Sequence, residues 1–133
     1  MFGAMLAAAA LLTSAQAAGS TTAKAHIFDG MNDAQMCADL KVRASKAREP
    51  VPPVTAQSAV ADCEAKKIRG TVAVYATGEA FDDFVLSFVN KARGNICNFD
   101  RPAMKAFAER GWRYTYIFMS ADDELRSSEV VCS

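Results

Sequence analysis

The chain has 133 residues, and its 15 lysine and arginine side chains are balanced by 15 aspartate and glutamate side chains. This length is sufficient for one domain. The absence of net charge excludes binding to nucleic acid or to an anionic membrane surface through a charge excess, so we expect no nucleic acid among the partners.

Residues 1–17 have the pattern of a secretory signal peptide. They carry no charged side chain, and Met5–Leu12 is an alanine-rich apolar run. A helix that spans a bilayer needs about 20 apolar residues, so this run is too short to be one. An Ala-Gln-Ala sequence ends at Ala17, and we predict cleavage after it. Residues 18–133 then form a single periplasmic or secreted domain, with no stable membrane insertion after cleavage.

The exported part contains four cysteines, and an even count in an exported domain predicts two disulfide bonds. Of the three connectivities we prefer Cys37–Cys63 with Cys97–Cys132. Each closes a loop of moderate length, for which chain entropy gives about 3–4 kcal/mol of stabilisation. Because no two cysteines stand two residues apart and His26 is the single histidine, we predict no metal site. No glycine motif for binding phosphate occurs, and we expect no cofactor.

The first half of the exported part predicts an arm, a helix and a linker. Residues 18–28 are small and polar and indicate a flexible arm. A helix follows over Asp29–Arg48, with Asn32 or Asp29 as its N-cap. Its apolar stripe at helical spacing consists of Ala34, Cys37, Leu40, Ala44 and Ala47. Three prolines end this helix and give a proline-rich linker at residues 49–55.

Two strands are predicted next. The later part of Ala56–Ala65 is interpreted as a strand, and Thr71–Thr77 is a clearer one because it contains β-branched residues and a tyrosine. The basic segment Lys66–Gly70 would be the hairpin connection between them.

The strongest periodicity follows in Glu79–Arg93, which predicts an amphipathic helix ended by Gly94. Its apolar stripe consists of Phe81, Phe84, Val85, Phe88, Val89 and Ala92. A short helix comes next, with Asp100 as its N-cap and Pro102 in its first turn, and it ends at Gly111.

The chain closes with a predicted antiparallel hairpin. Trp112–Met119 alternates as a strand does, Ser120–Asp123 supplies turn residues, and Leu125–Cys132 returns as the partner strand. We therefore predict the α+β class: a small antiparallel sheet of about four strands, packed on one face by two to three helices and held by two disulfides.

The last hairpin also supplies the candidate protein-binding residues. One face of its first strand carries Trp112, Tyr114, Tyr116 and Phe118, and the other carries Arg113, Thr115, Ile117 and Met119. The aromatic face either packs under the amphipathic helix with the stripe Phe81–Ala92 or is exposed. In the second case, or through the opposite face, the hairpin would bind a protein. The candidates are Trp112, Arg113, Tyr114 and Tyr116, together with Asp122 and Asp123 at the turn.

No catalytic residue is predicted. His26 lies in the predicted arm, where the fold would not hold it as a base. Two groups of carboxylates, Asp82–Asp83 and Asp122–Glu124, have simpler explanations as the first turn of a helix and a solvated hairpin tip. A small hydrolase that uses carboxylates stays open as a third hypothesis.

The order of elements in Thr71–Cys132 carries a resemblance. It consists of TVAVYAT, FDDFVLSFVNKA, Cys97, RPAMKAFAERG, WRYTYIF, SADDE, SSEVV and Cys132. In this order the chain resembles the family of small exported bacterial proteins described as quorum-sensing-regulated virulence factors. The resemblance implies a compact α+β domain in the periplasm or outside the cell, without an established enzyme activity or catalytic residues. The chain departs from that family in its first half and in having Asp122-Asp123 where the last hairpin of the family has a glycine.

Our leading hypothesis is a non-enzymatic binding or accessory protein of the envelope or the exterior. Its partner would be another envelope or secreted protein, bound through the hairpin Trp112–Val131. The alternative is a periplasmic immunity or enzyme-inhibitor protein whose Asp122–Glu124 segment enters a basic cleft. An accessory protein should have an exposed apolar patch or an open sheet edge, whereas a hydrolase should have two carboxylates in a cleft.

Overall fold

The structure is a computed structural model that describes residues 28–46 and 48–132. The predicted signal peptide, residues 18–27 of the predicted arm, His26 and Ala47 lie outside these residues. The elements in chain order are α1 (Asp33–Ser45), β1 (Val54–Asp62), β2 (Lys67–Val74), α2 (Gly78–Ile96), α3 (Pro102–Glu109), β3 (Arg113–Met119) and β4 (Leu125–Val130). Three helices and one four-stranded sheet confirm the α+β class.

The sheet has the strand order β1-β2-β3-β4. The two outer pairs are antiparallel hairpins, as predicted, but β2 and β3 run parallel. The prediction of a purely antiparallel sheet was therefore wrong for the central pair. The reason is the connection: α2 and α3 lie between β2 and β3, and such a crossover returns the chain to the end of the sheet from which β2 started.

All three helices cover the same face of the sheet, as predicted. One buried cluster joins Met36 and Leu40 of α1 to Ile68 of β2, Phe107 of α3 and Trp112. A second cluster joins α2 to the other ends of β2 and β3, and it consists of Val72, Val74, Phe81, Val89 and Phe118. The side chains of β2 alternate between the two faces of the sheet. Those under the helices are buried, and those on the opposite face are exposed or half-buried.

Helix α1 begins with a capping box. The Asn32 side chain accepts a hydrogen bond from the Gln35 backbone N–H at 2.8 Å, and the Gln35 side chain accepts one from the Asn32 N–H at 2.9 Å. This cap starts the helix four residues later than predicted. The predicted stripe was also partly wrong, because Ala34 is exposed whereas Met36 is fully buried.

Phe28 belongs to the core and not to the predicted arm. Its side chain is only 4 % exposed. The Arg110 guanidinium donates hydrogen bonds to the Met31 carbonyl at 2.7 Å and to the Phe28 carbonyl at 3.4 Å. Arg110 therefore fixes the turn before α1 against the end of α3.

The first hairpin is longer than predicted. Strand β1 already begins at Val54, which shortens the predicted linker, and most of the predicted basic connection belongs to β2. The turn is instead Cys63–Lys66, where the Asp62 carboxylate accepts a hydrogen bond from the Ala65 N–H at 3.1 Å. Lys66 adopts φ 55°, and this left-handed residue completes the turn.

The boundaries of α2 and α3 also differ from the prediction. Gly94 does not end α2, because the helix continues to Ile96 and closes with a hydrogen bond from the Cys97 N–H to the Arg93 carbonyl at 2.9 Å. Arg101, and not Asp100, occupies the N-cap of α3.

Both predicted disulfides are present. Cys37–Cys63 joins α1 to the end of β1, with a Cα–Cα distance of 5.7 Å. Cys97–Cys132 joins the end of α2 to the segment after β4, at 5.5 Å. Among the described residues, no helix has the length and apolar character needed to cross a bilayer.

Candidate functional site

The aromatic stripe of β3 is covered by helices. Trp112 is 5 % exposed and Phe118 is fully buried, and the ring centroid of Phe88 in α2 lies 5.2 Å from that of Phe118. Tyr116 lies 5.1 Å from the same Phe88 ring, and Tyr114 is partly buried against the first cluster. Of the sequence alternatives, packing under the helices is therefore the one observed. Trp112 is a core residue, and Tyr114 and Tyr116 are partly buried beside it on the helical face.

Tyr114 and Tyr116 are both partly buried. Burial raises the pKa of Tyr116 to about 12, with a further rise from Tyr114, and the positive charge of Arg48 opposes this. Burial likewise raises the pKa of Tyr114, against the charges of Arg48 and Arg101. Both phenols are thus neutral at physiological pH, where a phenol does not act as a base.

The opposite side of the sheet carries the alternate side chains of all four strands, and we call it the open face. The register assigns to it Ala56, Ser58, Val60, Asp62, Lys67, Arg69, Thr71, Ala73, Arg113, Thr115, Ile117, Met119, Leu125, Ser127 and Glu129. None of the helices described packs against these side chains, since both buried clusters lie on the other face. Of the predicted candidates, Arg113 is on this face.

One end of the open face is apolar. Ala56, Ala73, Met119 and Leu125 form a row across the four strands. Leu125 is 61 % exposed and Met119 36 %, and Ile117 in the adjacent row is 41 % exposed. Neighbouring exposed apolar side chains on several strands are typical of an interaction surface, whereas single scattered ones are not.

The other end of the open face is charged. Glu129 lies 3.2 Å from the Arg113 guanidinium and 3.4 Å from the Lys67 ammonium, and Asp62 lies 2.9 Å from the Arg69 guanidinium. The hydrogen bond from Arg113 holds the pKa of Glu129 below its usual value, and Lys67 adds to this effect. The pKa of Asp62 is lowered by the Ala65 N–H and then by Arg69. These carboxylates therefore stay ionised and paired.

Thr115 lies within this charged end, beside Arg69 and Glu129 in the register. Its hydroxyl oxygen is buried and has no hydrogen-bond partner among the described residues. An exposed strand position can bury a hydroxyl only if neighbouring side chains lie over it. The charged side chains consequently extend along the sheet and form a flat charged surface over Thr115.

Asp122 and Asp123 shape the turn between β3 and β4. The Ser120 hydroxyl donates a hydrogen bond to the Asp122 carboxylate and accepts one from the Glu124 N–H at 2.9 Å. Ser120 is 4 % exposed, and Asp123 adopts φ 66°. Both aspartates thus have a conformational role, and the turn lies beside the apolar end of the open face.

The other acidic candidates bind Arg126, which projects from β4 toward α2. Its guanidinium lies 3.3 Å from the Asp82 carboxylate, 3.4 Å from that of Glu124 and 5.7 Å from the centroid of the Phe81 ring. These contacts attach the start of α2 to β4. In the described part of the chain, no three His, Cys, Asp or Glu side chains group as metal ligands would.

Two shallow grooves are also present in the described part of the chain. One, of about 370 Å³, runs beside the end of β4, and its charged lining residues are the ion-paired Arg113 and Glu129. The other, of about 320 Å³, lies between the turn before α1 and α3, and its lining includes the exposed carboxylates of Asp29 and Glu109.

No family model, curated protein or solved structure matches this chain. The resemblance in the second half of the chain therefore stays a prediction.

Sequence reasoning missed most of the open face. It placed Arg113, Thr115, Ile117 and Met119 on this face of β3. It did not name Lys67 and Arg69, because β2 was predicted too late in the chain, and it did not name Glu129 of β4. The alternation of side chains within β2 and β4 could have shown which residues of each strand lie on the open face. That these residues form an apolar end and a charged end depends on the register between strands, which a single strand does not reveal.

Proposed function

We propose that this protein is a non-enzymatic, exported accessory protein that binds another envelope or secreted protein through the open face. The observation that carries the proposal is the apolar row at one end of that face, with Met119 and Leu125 exposed on neighbouring strands. An uncovered, twisted sheet of this kind buries a row of side chains against a partner while the charged end fixes orientation.

Three further observations support this proposal. The fold holds two disulfides, which persist in oxidising compartments such as the periplasm and the exterior. The carboxylates of Asp82, Asp122 and Glu124 have structural partners, in Arg126 and Ser120. The resemblance to quorum-sensing-regulated virulence factors points the same way, toward an exported protein without an established activity.

The test is affinity capture from envelope extract with three oxidised baits. They are the wild type, the open-face variant Met119→Lys/Leu125→Lys, and the control variant Val42→Lys/Leu86→Lys. Val42 and Leu86 are 60 % and 64 % exposed on α1 and α2, so the control places the same charges on the helical side. Circular dichroism and thermal unfolding establish that all three are folded.

We expect wild type and control to retain the same partner and the open-face variant to lose it. Titration calorimetry with the purified partner should then show at least roughly tenfold weaker binding for the open-face variant. A partner that all three baits retain equally would exclude the open face, and the absence of any partner would argue against the proposal.

The inhibitor alternative makes a different prediction for the same experiment. Its contact would be the acidic tip, where Asp123 stands exposed in a left-handed conformation. In that case Asp123→Lys would slow association with a basic enzyme, and the difference in association rate from wild type would be smaller at high salt. If the apolar variant binds normally and the tip variant does not, the inhibitor hypothesis replaces ours.

A further inference from the structure

The two edge strands of the sheet differ in charge. Strand β1 forms one edge with nine residues, VTAQSAVAD, whose single charged side chain is Asp62 at its end. Strand β4 forms the other edge with six residues, LRSSEV, and it carries Arg126 and Glu129. Among the residues that the structure describes, β1 pairs with β2 and leaves its outer side open.

An open edge presents unpaired backbone N–H and C=O groups to any other strand. Proteins commonly protect such edges with charged side chains, prolines or short strands. β4 has this protection, because it is short and charged. β1 is longer and has an uncharged run from Val54 to Ala61, and the bulge that interrupts it lies at its start, between Val54 and Ala56. The side chain of Val60 is 60 % exposed on this strand.

We propose that β1 pairs antiparallel with β1 of a second copy of this chain, about a two-fold axis at Ser58. The axis at Ser58 lies at the middle of the strand, and it pairs the regular stretch from Ala56 to Val60 with the same stretch of the second copy. It brings Ala56 beside the second copy's Val60 on the open face. Each Asp62 lies at the level of Val54, which the bulge turns to the helical face, and the two Asp62 residues lie at opposite ends of the joined pair. No like charges stand opposite each other, which is the condition for stable cross-strand pairs.

Charge also decides between a second β1 and the other edge strand as the occupant. Pairing β1 with β4 of another copy would be a head-to-tail contact, and such contacts propagate into open assemblies unless they close a ring. The β1–β1 contact is isologous and closes at two copies. It leaves the charged β4 edges outermost, where Arg126 and Glu129 oppose further addition.

This dimer goes beyond the proposed function and does not rest on it. The two sheets would join into one of eight strands, and the two open faces would lie side by side on the same side of it. A partner could then contact either copy, so a failure of the dimer leaves the partner-binding test unaffected.

The test is sedimentation velocity of the oxidised protein over a concentration series. Wild type should show a monomer–dimer equilibrium. Ser58→Lys places two like charges opposite each other across the axis and should weaken the dimer roughly fivefold to tenfold. Ser127→Lys is the matched control, because Ser127 is the exposed serine of β4 in the same row of the open face, and it should dimerise as wild type does.

Mixing two variants tests the axis itself. Ser58→Lys and Ser58→Glu should each dimerise poorly alone, and an equimolar mixture should recover a dimer because opposite charges then meet. If Ser58→Lys does not fold, Val60→Lys serves as the β1 variant. A wild type that is monomeric at every concentration, an equal loss for Ser127→Lys, or a mixture that does not recover would each overturn the proposal.

Discussion

The two faces of strand β3 have opposite roles although they alternate along the same seven residues. Phe118 on the helical face is fully buried, whereas Ile117 beside it on the open face is 41 % exposed. Both side chains are apolar and large. Apolar character alone therefore does not decide which face of this strand becomes the core.

The packing of the helices determines which face of β3 is buried. The stripe of α2 includes Phe84 and Phe88, whose rings lie 6.5 Å and 5.2 Å from Phe118, and such rings gain most when they pack edge to face with other aromatic rings. The aromatic side of β3 offers these partners, and the side with Ile117 and Met119 does not. The helices thus pack on the aromatic side of the sheet, and the apolar end of the open face stays uncovered by the described helices.

The largest expected effect is the difference between truncations on the two faces. Phe118→Ala should lower the free energy of unfolding by about 3–5 kcal/mol, because it leaves a cavity between β3 and α2. Ile117→Ala should cost well under half of that, because its side chain already contacts solvent. Urea unfolding of both variants measures the difference, and equal losses would mean that the open face is buried in the protein as purified.

A second effect concerns Gly70, where β2 approaches the aromatic stripe. A Cβ atom at this position would lie 2.8 Å from two carbons of the Tyr116 ring, so the ring occupies the space above the glycine. Gly70→Ala should therefore destabilise the fold by about 1–3 kcal/mol through overpacking. In a Tyr116→Ala background the same change should cost much less, and this double-mutant cycle separates the ring contact from strand propensity. Additive losses would show that the ring does not constrain Gly70.

The stripe of α2 and Gly70 show which features could be predicted from the sequence and which could not. The stripe of α2, the turn at Ser120–Asp123 and the spacing of the four cysteines are local signals, and they predicted a helix, a hairpin and both disulfides correctly. Gly70 was predicted to lie in the connection of the first hairpin, whereas it lies within β2. The ring that occupies the space above it belongs to Tyr116, which is distant in sequence.

The parallel pairing of β2 with β3 is the main feature of the fold that the sequence did not predict. Hairpins are specified by their turns, but strands joined through two helices pair according to where those helices pack. The same limit applies to the open face: its two ends exist because β1 to β4 align in one register, and no segment alone contains that information.

The third prediction concerns the titration of the covered face at alkaline pH. Burial raises the pKa of Tyr116 to about 12 from the usual 10.0. The unfolded chain then releases the phenolic proton at lower pH than the folded one. The contribution of this group to stability is complete below pH 10 and is lost as pH rises to about 12.

Absorbance titration at 295 nm should show a late step that disappears in Tyr116→Phe. The same variant should lose part of the decline in stability between pH 10 and 12. If Tyr116→Phe instead removes a step near the usual pKa of 10.0 and leaves the late step in place, the Tyr116 phenol is accessible to solvent, contrary to its position under α2.

The smallest effect belongs to the charged end of the open face. Arg113 and Lys67 hold the pKa of Glu129 below its usual value of 4.5, so its contribution is present above that pH and is lost as pH falls through the lowered value. Glu129→Gln should therefore flatten the acid side of the stability profile, and added salt should reduce the difference because the pair is near the surface. Glu64→Gln is the matched control, because it removes an exposed carboxylate in the turn after β1. If Glu129→Gln and Glu64→Gln change the acid side of the stability profile equally, the ion pairs of Glu129 do not hold the charged side chains along the sheet. The flat charged surface of the open face would then be wrong, whereas the apolar end of that face would be unaffected.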